Sequence, residues 1–195
     1  MYQPLYSLGR CLREAFCRAK GTETLTLDVN SSVYLFGEVN KNDACILAGA
    51  FKQYIQDSDF PEEIKKTILA SPIIEEKKYH VTLLYPSGET TIRAADMLEI
   101  ETPENPNKKQ RSQLNTSVMR TLRTKYPTVE MTVGDAAFFT TDGHLAAIEL
   151  VFTSQTIFTE IDPKKVFHIT LTYNRDVEER APVYSNTFLE KVKLE

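Results

Sequence analysis

Lys78-Tyr79-His80-Val81-Thr82-Leu83-Leu84 and Val166-Phe167-His168-Ile169-Thr170-Leu171-Thr172 carry one pattern twice, His-apolar-Thr-apolar, roughly half a chain apart. Side chains alternate faces along a β-strand, so in each stretch the His and the Thr two residues on point one way while their apolar neighbours point into a core. The chain has only three His. That two of them sit in the same short pattern is hard to ascribe to core packing alone, the usual fate of a lone His on an apolar strand. Two such strands can present two imidazoles and two hydroxyls to one cleft, which is equipment for acid–base chemistry on a phosphate.

Outward from these strands the chain alternates helix and strand. Pro4 to Lys20 reads as a helix with Leu5, Leu8, Leu12 and Phe16 on one stripe. Thr24 to Val29 and Val33 to Val39 read as strands joined through Asn30-Ser31. Asp43 to Gln56 is an amphipathic helix with Asn42 as its N-cap, and Pro61 to Leu69 a shorter one. Pro86-Ser87-Gly88 reads as a turn, and the Pro- and Asn-rich stretch 102–109 as a loop between lobes. Ser112 to Tyr126 is helical; strands are expected at Val129 to Val133 and Ala136 to Thr140, and Asp142-Gly143 signals a hairpin into Leu145 to Thr153.

Composition bounds the class. With 195 residues, 42% hydrophobic and 26% charged, the chain can bury a substantial core without disulfides or a metal. No apolar run approaches the ~20 residues that span a bilayer, and Arg10, Arg13, Glu14 and Arg18 near the N-terminus do not read as a signal peptide. Three Cys without C-x-x-C spacing suit reduced thiols, hence a cytoplasmic or nuclear setting with no membrane partner. A net charge of −4 argues against a general duplex binder. Lys108, Lys109, Arg111, Arg120, Arg123 and Lys125 nevertheless make one helix locally basic, either a solvated face or a set of contacts, centred on Arg120 and Arg123, to the phosphates of an RNA end.

The doubled motif resembles the 2H phosphoesterase superfamily, and within it the cyclic phosphodiesterase domain of fungal and plant tRNA ligases and the myelin 2′,3′-cyclic-nucleotide 3′-phosphodiesterase. The likeness runs over residues 31 to 195. Val33-Tyr34-Leu35-Phe36-Gly37-Glu38-Val39 is similar to the family's opening aromatic strand, Leu145-Ala146-Ala147-Ile148-Glu149-Leu150-Val151 to the strand before its second motif, and Phe188-Leu189-Glu190-Lys191-Val192 to its terminal helix. The resemblance implies an α+β, two-lobed fold, two antiparallel sheets flanked by helices around a central cleft that carries the two His-x-Thr motifs. Residues 1–30 are then an N-terminal helix and strand extension, and 31–195 the phosphoesterase domain, its lobes meeting near 102–109.

The implied reaction is metal-independent hydrolysis of 2′,3′-cyclic phosphate on RNA or nucleotide ends to a 2′-phosphate, in tRNA splicing or RNA repair, with no cofactor. His168 is the expected general base, His80 the general acid, and Thr82 and Thr170 donors to the non-bridging oxygens. Tyr85 matches a base-stacking position, although strict alternation would put it on the opposite face from His80. Lys165, Arg120 and Arg123 are further substrate-binding candidates, and His144, after the Asp142-Gly143 turn and without the pattern, reads as a surface loop residue. HExxH is missing, so metal catalysis has no support, and G-x-x-x-x-G-K-[ST] is missing too, so kinase and ligase functions would belong to partner domains or proteins. A 2′-5′ oligoadenylate phosphodiesterase and a non-catalytic RNA-end-binding module remain open.

Overall fold

The computed structural model describes residues 1–195, the side chain of Glu179 excepted. In chain order it contains β1 (Tyr2–Pro4), α1 (Tyr6–Lys20), β2 (Thr24–Ser31), β3 (Leu35–Val39), α2 (Lys41–Asp57), α3 (Glu62–Leu69), α4 (Pro72–Glu76) and β4 (His80–Leu84). α5 (Gly88–Met97), α6 (Lys108–Lys125), β5 (Thr128–Thr140), β6 (Leu145–Phe152), α7 (Ile157–Ile161), β7 (His168–Tyr173) and α8 (Ser185–Leu194) follow. None of the helices among the described residues is long and apolar enough to cross a membrane.

The two-sheet, two-lobed architecture is not what the chain forms. All strands belong to one antiparallel sheet in the order β1-β5-β2-β3-β4-β7-β6, and pairing of β6 back onto β5 closes six of them into a barrel, with β1 added at the edge of β5. The cause lies in β5. Two strands are expected there, at 129–133 and 136–140, but the backbone runs through as one strand of 13 residues with a register shift between Val133 and Ala137. Its first part pairs with β2, and from Met131 onward it also pairs with β6. An irregularity in a long strand bends it and raises its twist, and here the bend lets one strand serve both ends of the sheet.

The register sorts the sheet into two faces. Leu25, Leu27, Leu35, Val81, Leu83, Ile148, Leu150 and Ile169 belong to the main core, together with Leu8, Leu12 and Phe16 of α1 and Leu47, Phe51 and Ile55 of α2. α1 approaches β5 so closely that a Cβ on Gly9 would run into the Gly134 carbonyl oxygen. The other face carries Asp28, Phe36, Glu38, His80 and His168. It is partly covered by α8, whose Leu189 and Val192 pack on Phe138, Leu145 and Ala147.

Helix ends follow their caps. α2 begins at Lys41 because the Asn40 side chain, not that of Asn42, accepts the Asp43 N–H at 2.9 Å. α6 begins four residues before the expected Ser112, where Asn107 and Gln110 form a capping box. Ser87 and Thr90 form another, so the turn at Pro86-Ser87-Gly88 opens directly into α5. Gly143, at φ 76°, makes the β5–β6 turn.

Candidate active site

β4 and β7 lie side by side, antiparallel, with Val81 paired to Ile169. Carried one residue either way, that register sets His80 beside Thr170 and Thr82 beside His168. All four lie on the face opposite Val81 and Ile169, which are both fully buried. The two His occupy one diagonal of a four-cornered array and the two Thr the other. Diagonal neighbours of this kind are about 7–8 Å apart, wide enough for one phosphate between two imidazoles. The His sense each other, since charge on His80 depresses the pKa of His168.

Their surroundings differ. His168 is driven down to about 4, chiefly by burial, with the charges of Lys165 and His80 adding to the effect and a hydrogen bond at Val166 opposing it. Its Nδ1 lies 3.0 Å from the Val166 carbonyl oxygen. A carbonyl can only accept, so Nδ1 carries the hydrogen and Nε2 the lone pair. His80 is also lowered by desolvation, but the carboxylate of Glu38, its cross-strand neighbour on β3, pulls the other way. The ring sits beside Phe36 and Tyr34, at 5.7 and 6.3 Å between centroids, and the Tyr34 hydroxyl is 3.4 Å from Nε2.

A second carboxylate mirrors the first. Glu149 on β6 pairs across to His168 as Glu38 does to His80, but its charge is taken up by Lys193 of α8 at 2.6 Å. The Thr170 hydroxyl is 3.2 Å from that of Ser185, the first residue of α8. Tyr34, Phe36, Glu38, Glu149, Ser185 and Lys193 thus border the array without having been singled out in the sequence. The signal for the first three was available: Leu35, Gly37 and Val39 alternate with them, which puts Tyr34, Phe36 and Glu38 on one face of a strand.

Tyr85 escapes the alternation. Phe36 pairs with Thr82 but Leu35 pairs with Leu84, so Leu83 is an extra residue in β4. This bulge returns the chain after Leu84 to the His80 side, in line with Tyr34, and leaves Tyr85 64% exposed. β7 does the same at the equivalent place, since Ala147 pairs with Thr170 and Ala146 with Thr172, leaving Leu171 extra and Tyr173 opposite Leu145. The repeat is therefore longer than its first four residues: His-x-Thr-Leu-x-Tyr occurs as His80 to Tyr85 and as His168 to Tyr173.

Of the remaining candidates, Lys165 is brought to His168 and has a lowered pKa, from desolvation opposed by Asp162 and Glu190. Arg120 and Arg123 are exposed on α6, lining a hollow with Ser31 and Ser32 instead of bordering the His array directly. His144 is half-buried, its Nδ1 3.2 Å from the Asn174 side-chain nitrogen, so it is more enclosed than a loop tip. Among the described residues no group of His, Cys, Asp and Glu is disposed to hold a metal ion. No family model, curated protein or solved structure matches the chain.

Proposed function

We propose that the protein is a cyclic phosphodiesterase that opens 2′,3′-cyclic phosphates on RNA or nucleotide ends to 2′-phosphates, performing the chemistry of 2H phosphoesterases on a closed barrel. The observation that carries this reading is the Val81–Ile169 register, which puts two His and two Thr at the corners of one patch. Water is deprotonated by His168 Nε2 as it attacks phosphorus; the bond from phosphorus to the 3′ oxygen breaks, and His80 supplies the proton that oxygen needs. His168 ends protonated and His80 neutral, and exchange with solvent resets them. Thr82 and Thr170 donate to the non-bridging oxygens as charge grows there.

The electrostatics support this order of roles. A base must be neutral, and His168 is held neutral by burial and by Lys165. An acid must hold a proton; desolvation lowers the pKa of His80 overall, but Glu38 opposes that shift and favours its protonated form. Glu149, paired to Lys193, does not offer His168 that carboxylate effect to the same degree. A bound phosphodiester anion adds to the effect of Glu38.

Incubation with 2′,3′-cyclic AMP, 3′,5′-cyclic AMP and 2′-5′ oligoadenylate, with the products identified, tests the reading. Opening of the first alone, to the 2′-phosphate, is the expected result. Cleavage of oligoadenylate alone would replace the reading with a 2′-5′ phosphodiesterase. Binding of RNA ends without turnover of any of the three would leave a non-catalytic module.

A further inference from the structure

α6 concentrates charge against the trend of the chain. The net charge of the protein is −4, yet the 18 residues of α6 include six cations and no carboxylate. Near its C-terminal end the helix borders a hollow of about 470 Å³ with Ser31, Ser32, Thr116, Arg120 and Arg123 on its walls, donors throughout, and Met119 beside them. Nearer its start, Arg111 and Asn115 line a second hollow, of about 480 Å³, with Pro86 and Gly88.

Each hollow is lined by a residue one or two positions along the chain from an aromatic residue at the rim of the His array. Ser32 belongs to the β2–β3 turn, where its N–H bonds to the Tyr34 carbonyl at 2.9 Å, and the Tyr34 hydroxyl reaches His80. Pro86 directly follows Tyr85. The twelve-residue step from Arg111 to Arg123 spans about 18 Å of helix, so α6 forms a basic flank along that rim. Guanidinium groups and hydroxyls pair with phosphate oxygens, exposed rings stack on bases regardless of their identity, and a 2′,3′-cyclic phosphate requires ribose.

We infer that this flank binds the backbone phosphates of single-stranded RNA whose 3′ end occupies the His array, so that the substrate is a polynucleotide terminus and not a free nucleotide. The inference rests on the proposed chemistry for the position of the end, and on the charge and shape of the flank for the strand.

The test compares kcat/KM for a ten-nucleotide RNA ending in a 2′,3′-cyclic phosphate with that for 2′,3′-cyclic AMP, in the wild type and in Arg120→Gln/Arg123→Gln. The variant is expected to lose about tenfold or more of the preference for the oligonucleotide, because two charge-assisted contacts are removed. The slope of log affinity against log salt should flatten by about 1.4, at roughly 0.7 per phosphate contact on a single strand. Equal losses on both substrates, or no loss on either, would overturn the inference. Anisotropy of the same labelled RNA with His80→Ala, with and without the arginine changes, separates the two readings. Arginine-dependent RNA binding by a wild type that cleaves neither substrate would sink the chemistry and keep the flank; arginine-independent binding would sink the flank. Melting temperatures within a degree of wild type show that the variants fold.

Discussion

The Thr170 hydroxyl lies 3.2 Å from that of Ser185, which is fully buried, so the two hydroxyls share one hydrogen bond. With Ser185 donating, the Thr170 hydrogen is left for a phosphate, and the hydroxyl of the second motif is oriented by a residue of the terminal helix. Thr170→Ala and Thr82→Ala are each expected to lower kcat by roughly 10²- to 10³-fold, the cost of one donor aimed at developing charge. Ser185→Ala should cost only about tenfold, the worth of one neutral hydrogen bond, and Thr170→Ser should keep most of the rate. If Ser185→Ala matched Thr170→Ala, Ser185 would itself be the donor.

The pH profile follows from the two imidazoles. On 2′,3′-cyclic AMP, kcat/KM should trace a bell with its acidic limb near 4, where His168 gains a proton, and its basic limb below 6.5, where His80 loses one. These are macroscopic constants of a coupled pair, so each limb needs its own variant. Glu38→Gln should move the basic limb down, by removing the charge that favours protonated His80. Lys165→Met should move the acidic limb up, by removing a charge that disfavours protonated His168. Stability responds in the same window. The folded pKa of His168 lies below its unfolded value, so its contribution is complete above about 6.5 and is lost as pH falls toward 4. His168→Gln should accordingly show a shallower loss of melting temperature between pH 7 and 4 than the wild type.

Either His80→Ala or His168→Ala should reduce turnover by orders of magnitude, and the double variant should be little worse, since one loss already disables a concerted step. Activity should survive EDTA. Abolition by EDTA, with restoration by a divalent ion, would point to metal chemistry in place of the His pair.

The bulge at Leu83 makes a prediction about Tyr85. Tyr85→Ala should raise KM several-fold with kcat little changed, and Tyr85→Phe should restore it, because stacking needs the ring and not the hydroxyl. A Phe variant as weak as the Ala variant would exclude stacking.

Gly9 tests the packing beneath. A methyl group there meets backbone at Gly134, which cannot turn aside as a side chain can. Gly9→Ala should therefore destabilise by about 1–3 kcal/mol, or about 2–4 °C of melting temperature per kcal/mol. An unchanged melting point would mean that α1 does not sit so close to β5.

Much of the local structure was legible because it rests on periodicity and turn chemistry. The stripe Leu8, Leu12 and Phe16 does face the core, and Asp142-Gly143 does turn β5 into β6. Closure of the sheet was not legible. It depends on β5 running through Gly134-Asp135, where a Gly inside a strand pattern reads as readily as a break between two strands as it does as a bulge. The four motif residues could be placed on strands from alternation alone, whereas their mutual register could not, since nothing local to His80 specifies which residue of β7 will stand beside it. Ser185 and Lys193 were out of reach for the same reason: their partners Thr170 and Glu149 are set by how α8 lies on the sheet.

A half-turn about an axis midway between Val81 and Ile169 exchanges His80 with His168, Thr82 with Thr170 and, one strand further out, Glu38 with Glu149. Taken by themselves, the motifs are degenerate: a cyclic phosphate could settle in either of two senses and meet the same groups. On the proposed chemistry, the direction of the reaction would then be encoded outside the repeated residues, in Lys193 quenching one glutamate, Lys165 discouraging one imidazolium, and α8 lying over one half of the array. Exchanging those neighbours, with both motifs left untouched, would be the way to reverse which histidine gives and which receives.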